Sequence, residues 1–175
     1  MGQKDHRFSQ RKHGRGEWNT RPVATRNPLV RFAVRLGSAK RAHVDALARR
    51  CPQSAWVLDL GAGTGAYGAW FCGAHRSARV IALDWSPEAL VRAAKQKPGR
   101  LFPVCADVAH LPLKENSVHA LYSIDTLGHV GRQERVLNEC NRVLRGGAPL
   151  FLHSECSDYR ERWPDRALIK TLGSD

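Results

Sequence analysis

The run Val57-Leu58-Asp59-Leu60-Gly61-Ala62-Gly63-Thr64-Gly65 constrains the fold of this chain more than any other segment. Trp56 to Leu60 reads as a buried parallel strand interrupted only by Asp59, and Ala66 to Ala74 can run as a helix. Between them three glycines alternate with small residues. Strand, glycine turn and helix in that order open a nucleotide-binding βαβ unit. The glycines permit a tight turn and let a ligand approach with no Cβ in the way. The helix that follows aims its free N–H groups at that ligand.

The glycines do not name the ligand. Gly63-Thr64-Gly65-Ala66-Tyr67-Gly68 also fits the dinucleotide pattern GxGxxG. Two features argue against a dinucleotide. Asp59 stands two residues before the first glycine, where a carboxylate meets a cation better than a pyrophosphate. Leu58 and Leu60 flank it, so its burial is costly without a partner. A sulfonium amino acid would supply one; the alternative is a plain glycine turn with a satisfied Asp.

The rest of the chain alternates in the same way. Residues 29–50 read as two short helices broken at Gly37, the second ended by Pro52. Arg79 to Leu83 is a second strand ending at Asp84. Ser86-Pro87-Glu88 opens a helix that runs to about Gln96. Leu101–Cys105, Val118–Ile124 and Pro149–His153 are three more strands, with a helix over Arg132–Leu144 ended by Gly146. This order predicts an α/β, Rossmann-like, doubly wound parallel sheet. After His153 a short helix near Arg166 to Leu172 is expected, and no two-stranded hairpin fits, so the sheet is expected to have five strands. The outer edge of the fifth strand is then apolar and unpaired. It predicts a homodimer, a partner chain, or cover by residues 158–172.

Asp59-Leu60-Gly61-Ala62-Gly63-Thr64-Gly65 resembles the first motif of the class I S-adenosylmethionine-dependent methyltransferases. The likeness spans about residues 40–153 and is closest to the small-molecule branch called methyltransferase type 11. It adds Asp84-Trp85, Ala106-Asp107-Val108 and Ser123-Ile124-Asp125-Thr126-Leu127-Gly128-His129 at the ends of the next strands. The resemblance implies S-adenosyl-L-methionine as cofactor, held by Asp59, Gly61, Ala62, Gly63 and Gly65. It implies Asp84 on the ribose hydroxyls, Trp85 against the adenine, and Asp107 and the Val108 backbone on its edge. Ser123, Asp125 and His129 should face the methyl donor or acceptor, since ligands sit at the carboxyl ends of the strands. His129 is a candidate general base or a structural histidine. Asp125 either binds the acceptor or caps the next helix. The family's usual C-terminal strand pair is missing, and His119 stands where an Asp is commoner.

The function implied is methyl transfer to a small-molecule acceptor with no metal. The cofactor carries the reactivity, and the protein orients the reactants and excludes water. Two alternatives stay open: an RNA methyltransferase using the basic N-terminal region, and a cofactor-binding but silent module completed by a partner. His153-Ser154-Glu155-Cys156-Ser157 echoes RNA cytosine-5 methyltransferases, but their Pro-Cys after the fourth strand is replaced by Asp125-Thr126-Leu127.

Composition sets the remaining bounds. The 175 residues suit one domain, with a basic segment at 1–28 and the methyltransferase domain at 29–175. The net charge of +12 is concentrated in the first 50 residues and suits phosphates, a membrane surface, an anionic substrate or a solubilising tail. The first 28 residues are expected to close over the cofactor. No apolar run is long enough to span a membrane. Five cysteines without metal-ligand spacing point to a reducing, cytoplasmic compartment.

Overall fold

The computed structural model describes residues 40–97, 99–154 and the backbone of 168–170. The basic segment 1–28, its expected closure over the cofactor, the boundary at 28/29 and the first expected helix lie outside these residues. Helix α1 covers 40–50. Its buried positions are Lys40, Val44, Leu47 and Ala48, the i, i+4, i+7, i+8 stripe of a helix with one face on a core. Then follow β1 (Trp56–Leu60), α2 (Ala66–Ala74), β2 (Arg79–Asp84), α3 (Pro87–Ala93), β3 (Leu101–Cys105), β4 (Ala120–Ile124), α4 (Gln133–Val143), β5 (Leu150–His153) and β6 (Leu168–Lys170).

The strand order is β3-β2-β1-β4-β5-β6. The first five are parallel, as the alternating pattern predicts. The order reverses between β1 and β4, which makes the crevice at their carboxyl ends the expected ligand site. Side chains alternate between two cores. Val57, Val80, Ala82 and Tyr122 pack with Val44 and Phe71 on one face. Leu58, Leu60, Leu83 and Leu121 pack with Val136, Cys140 and Val143 on the other. Burial on both faces explains why the strands read as nearly continuous apolar runs.

Three local expectations need correcting. Leu168–Lys170 is a strand and not a helix. It pairs antiparallel to β5, with Leu152 opposite Leu168. The unpaired backbone groups along β5 favour any segment that can return alongside them. That pull is non-local and leaves no mark on local periodicity. The sheet therefore has six strands, and the β5 edge is covered from within the chain. α3 stops at Ala93 and not near Gln96, because Lys95 N–H and Gln96 N–H turn back to Arg92 and Ala93 carbonyls. Val118 lies outside β4 and instead bridges to Leu144.

The connector from 110 to 119 is held to the strands and to α4 by side chains. Glu139 accepts from Leu111 N–H at 2.7 Å, and Arg142 donates to the carbonyls of Leu111 and Leu113 at 3.0 and 2.8 Å. Arg142 keeps the Glu139 carboxyl near 2 by hydrogen bonding. At position 119, His119 Nδ1 accepts from Trp56 N–H at 3.1 Å. An acceptor is thus retained at a position where the resembling pattern has an acid.

Asp59 lies beneath the first turn of α2. It is 3 % exposed. A Cβ placed on Gly68 would sit 3.3 Å from its Oδ2. The same Cβ would lie 2.4 Å from a terminal methyl of Leu101, which would have to shift to admit it. Burial pushes the Asp59 carboxyl up to about 7, against the pull of the Tyr122 hydroxyl and Gly68 N–H, while the Asp84 charge adds to the rise. Neither Asp59 Oδ2 nor the Tyr122 hydroxyl closes a hydrogen bond of good geometry. The unfolded carboxyl titrates near 3.8, so it loses its proton first as the pH rises. Stability should fall from pH 4 to 7 and level off above. Asp59→Asn removes that slope. In thermal melts the variant should be more stable than the parent at pH 8, on the order of 4 kcal/mol, and equal to it near pH 4. A constant difference across this range would show that Asp59 does not titrate in the fold.

Candidate active site

The glycine turn is tied to the end of β2 by backbone and side chain together. Gly61 N–H and Ala62 N–H both donate to the Leu83 carbonyl, at 2.8 and 2.9 Å. Gly63 N–H donates to Asp84 Oδ2 at 2.7 Å. The other Asp84 oxygen accepts from Ser86 N–H at 2.9 Å, and Ser86 caps α3 by accepting from Ala89 N–H. Asp84 therefore sets the turn and the start of the next helix at once. Each of its oxygens keeps a further lone pair for a ligand donor.

The three glycines serve different purposes. All have positive φ: 76° at Gly61, 52° at Gly63 and 77° at Gly65. A Cβ on Gly61 would fall 2.0 Å from Thr126 Oγ1, so Gly61 is small to admit the β4 turn. A Cβ on Gly65 would meet Ala93 and Leu101 at 2.8 and 2.9 Å, so Gly65 is small to admit α3 and β3. A Cβ on Gly63 would meet nothing within 4 Å. Gly63 thus borders open space at the switch point. α2 begins three residues later at Ala66, and its N-cap Gly65 offers no side-chain acceptor.

On the β3 side, Asp107 Oδ1 accepts from Ala109 N–H at 2.8 Å and Oδ2 lies 3.4 Å from His110 Nδ1. The Asp107 side chain is half-exposed, Val108 is buried and the Trp85 ring is exposed. These residues share the rim with Asp84, since β2 and β3 pair Asp84 with Cys105.

On the β4 side the structure places the expected residues differently. Ser123 is fully buried and donates to the Leu60 carbonyl at 2.9 Å, stitching β4 to β1. His129 ends the 3-10 turn Leu127–His129 and is exposed. Asp125 follows β4 with φ 58°. Its Oδ2 accepts from Lys40 Nζ at 2.5 Å and its Oδ1 from His153 Nδ1 at 3.0 Å. Burial raises the Asp125 carboxyl, but these hydrogen bonds outweigh it and hold it below the usual range. Tyr67, in the first turn of α2, feels Lys40 and Asp125 together, and burial raises its phenol.

Sequence reasoning missed Lys40 and His153. Lys40 was counted within the basic N-terminal charge, yet it occupies the buried stripe of α1. Its spacing of four from Val44 was the available signal. In the sequence His153 shows only as the last residue of a strand and the first of the segment that runs to Ser157.

A separate groove of about 550 Å³ runs along the outside of α2, lined by Arg41, Asp45, Tyr67, Trp70 and Lys97 among others. None of Asp84, Asp107, Asp125 and His153 lines it. The strand-end crevice and this groove are different places.

Known proteins agree with this geometry. A family model described as a methyltransferase domain matches residues 58–152, more than half the chain. Malonyl-[acyl-carrier protein] O-methyltransferase of Methylococcus capsulatus is 33% identical over 118 residues, covering 64% of this chain and 43% of that protein. A Mycobacterium tuberculosis protein described as a probable S-adenosylmethionine-dependent methyltransferase is 36% identical over 106 residues, covering 61% of this chain and 37% of that one. The chain spans less than half the length of these relatives. The crystal structure of the [4+2]-cyclase SpnF superposes with a TM-score of 0.59 at 23% identity, over 66% of this chain and 44% of that one, and shares the fold. With its glycine turn, strand-end acid and matched domain together, the chain belongs to the class I, S-adenosylmethionine-dependent methyltransferase domain family.

Proposed function

We propose that the crevice at the ends of β1, β2 and β4 binds S-adenosyl-L-methionine and that the chain transfers its methyl group to a small-molecule acceptor. The observation that carries this reading is the Gly63–Asp84 unit. An acid at the end of β2 is rigidly coupled to a turn whose one unobstructed glycine faces open space. Asp84 can accept from ribose hydroxyls, and Gly61, Ala62, Gly63 and Gly65 present a Cβ-free approach. Trp85 offers an aromatic face for the adenine. Asp107 can accept from its amino group and Val108 N–H can reach a ring nitrogen. Asp59 lies buried beneath the turn, and a cationic ligand bound nearby would lower the pKa of that acid. When bound, the cofactor supplies an activated methyl group.

The protein's own residues supply placement. The turn is already held by three N–H bonds, so little ordering remains for the ligand to drive. Ser123 keeps β4 in register with β1 and so acts through the sheet. Asp125 and His129 flank the acceptor side. Among the described residues no helix is long and apolar enough to cross a membrane, and a cytoplasmic location is part of this proposal.

Calorimetry of the full chain with S-adenosylhomocysteine and with NAD tests the reading. Adenosylhomocysteine should bind and NAD should not. NAD binding without an adenosylhomocysteine signal would overturn it.

Asp84→Ala should weaken adenosylhomocysteine binding by about 1.5–3 kcal/mol, the range for hydrogen bonds to a charged group. Circular dichroism should still show a folded chain. Unchanged affinity would remove Asp84 from the ribose site.

Two glycine variants separate packing from binding. Gly61→Ala drives a Cβ into Thr126 and should cost about 1–3 kcal/mol of stability in denaturant unfolding. Gly63→Ala meets no protein atom, so its cost is backbone strain of about 1 kcal/mol. Its main effect should be lost adenosylhomocysteine affinity. Equal affinity in the Gly63 variant would move the ligand away from the turn.

A further inference from the structure

We propose that His153 takes the proton of the methyl acceptor, with Asp125 as its positioning residue, and that the acceptor is therefore a hydroxyl or amine and not a carboxylate. The proposal rests on the methyltransferase reading above and names the acceptor class for that same site.

The argument begins with hydrogen-bond directions. An ionised carboxylate can only accept. Lys40 Nζ lies 2.5 Å from Asp125 Oδ2 and stabilises its ionised form. The 3.0 Å contact between Asp125 Oδ1 and His153 Nδ1 therefore places a proton on Nδ1. In the neutral ring Nε2 then carries the lone pair, ready to accept. A base oriented by a carboxylate on its far nitrogen is the arrangement that general-base catalysis needs.

Location supports the same assignment. His153 is the last residue of β5 and pairs with Ile124, the last of β4. Asp125 N–H donates to the His153 carbonyl at 2.8 Å, so backbone and side chain both hold the pair together. The His153 side chain is 25 % exposed, which leaves the ring accessible. Lys40 is 9 % exposed at its side chain and is held in place by burial. Asp125 occupies the left-handed region at φ 58°. A non-glycine residue there carries strain and persists where its surroundings impose it. Among the described residues, the charged and titratable groups around this cluster include Lys40 and Arg41 from α1, Asp59 on β1, Tyr67 from α2, Asp125 after β4 and His153 on β5.

A carboxylic acid is already ionised at neutral pH and needs no base. A hydroxyl must lose a proton as it attacks, and an amine protonated at neutral pH must lose one to free its lone pair. In the balanced step the acceptor's X–H bond breaks and its proton passes to His153 Nε2. The acceptor's electron pair forms the X–CH3 bond. The pair of the broken C–S bond stays on sulfur, which becomes the neutral thioether. The imidazolium then loses its proton to solvent.

Imidazole nitrogen NMR of the full chain tests the assignment without any acceptor. With and without S-adenosylhomocysteine, the neutral His153 ring should carry its proton on Nδ1. Asp125→Asn should shift the population toward the Nε2–H form. A parent chain with Nε2–H, or with a permanently charged His153, would overturn the proposal. A second arm incubates the chain with methyl-labelled S-adenosylmethionine and a pool of phenols, alcohols, amines and carboxylic acids. Label should appear in base-stable ethers or methylamines. His153→Gln should lower its yield about 10²–10⁴-fold, with adenosylhomocysteine affinity changed less than about twofold. Label in base-labile methyl esters, or full activity in His153→Gln, would overturn it. If the pool takes no label, the tautomer decides. A parent chain that fails to bind adenosylhomocysteine would sink the methyltransferase reading itself, whatever His153 does.

Discussion

The hydrogen bond from Gly63 N–H to Asp84, with the two from Gly61 and Ala62 to Leu83, is the constraint on which the site depends. A turn with three positive-φ residues at alternating positions has many other conformations in an unfolded chain. Here its N–H groups are bound to one strand end, so the turn is set by the register of β1 against β2. That register pairs Leu60 with Leu83 and is fixed by burial on both faces. The start of α2, the cap of α3 and the open face at Gly63 all follow from it. A binding site built this way is rigid because the sheet is rigid.

The two sides of the crevice differ in chemistry. On the β1–β3 side stand three carboxyls, Asp59, Asp84 and Asp107, the first buried and protonating near neutrality. They suit a ligand that brings positive charge and hydrogen-bond donors. On the β4–β5 side Lys40, Asp125 and His153 form a connected chain of proton donors and acceptors. The proposed methyl transfer to a hydroxyl or amine would use this division, with a donor that needs only holding and an acceptor that has a proton to give up. The net charge of +12 says little about either side. Lys40 belongs to that surplus by count, yet it serves as a buried partner to one acid.

Sequence reasoning served best where the cause is local. Ser86 before Pro87, the glycines after Leu60 and the apolar runs of five strands each act within a few residues, and those elements form in the expected order with some ends shifted by a few residues. It failed where an element answers to a distant one. The segment Leu168–Lys170 has no strong preference of its own, and the open edge of β5 made it a strand. Ser123 at a strand end suggested a ligand contact. The nearest acceptor is the Leu60 carbonyl one strand away, and no periodicity predicts that.

By itself, then, the sequence determined the order of elements, the parallel sheet, the glycine turn and the acids at the ends of β2 and β3. Hydrophobic runs and glycine's freedom at positive φ act along the chain and can be read from it. Tertiary structure alone decided what those residues touch. Gly61 is small because of Thr126, 65 positions away. Asp125 is held by Lys40, 85 positions away, and His153, 28 positions away. Such contacts form only once the sheet has closed the intervening loops, and neither partner carries a local sign of the other.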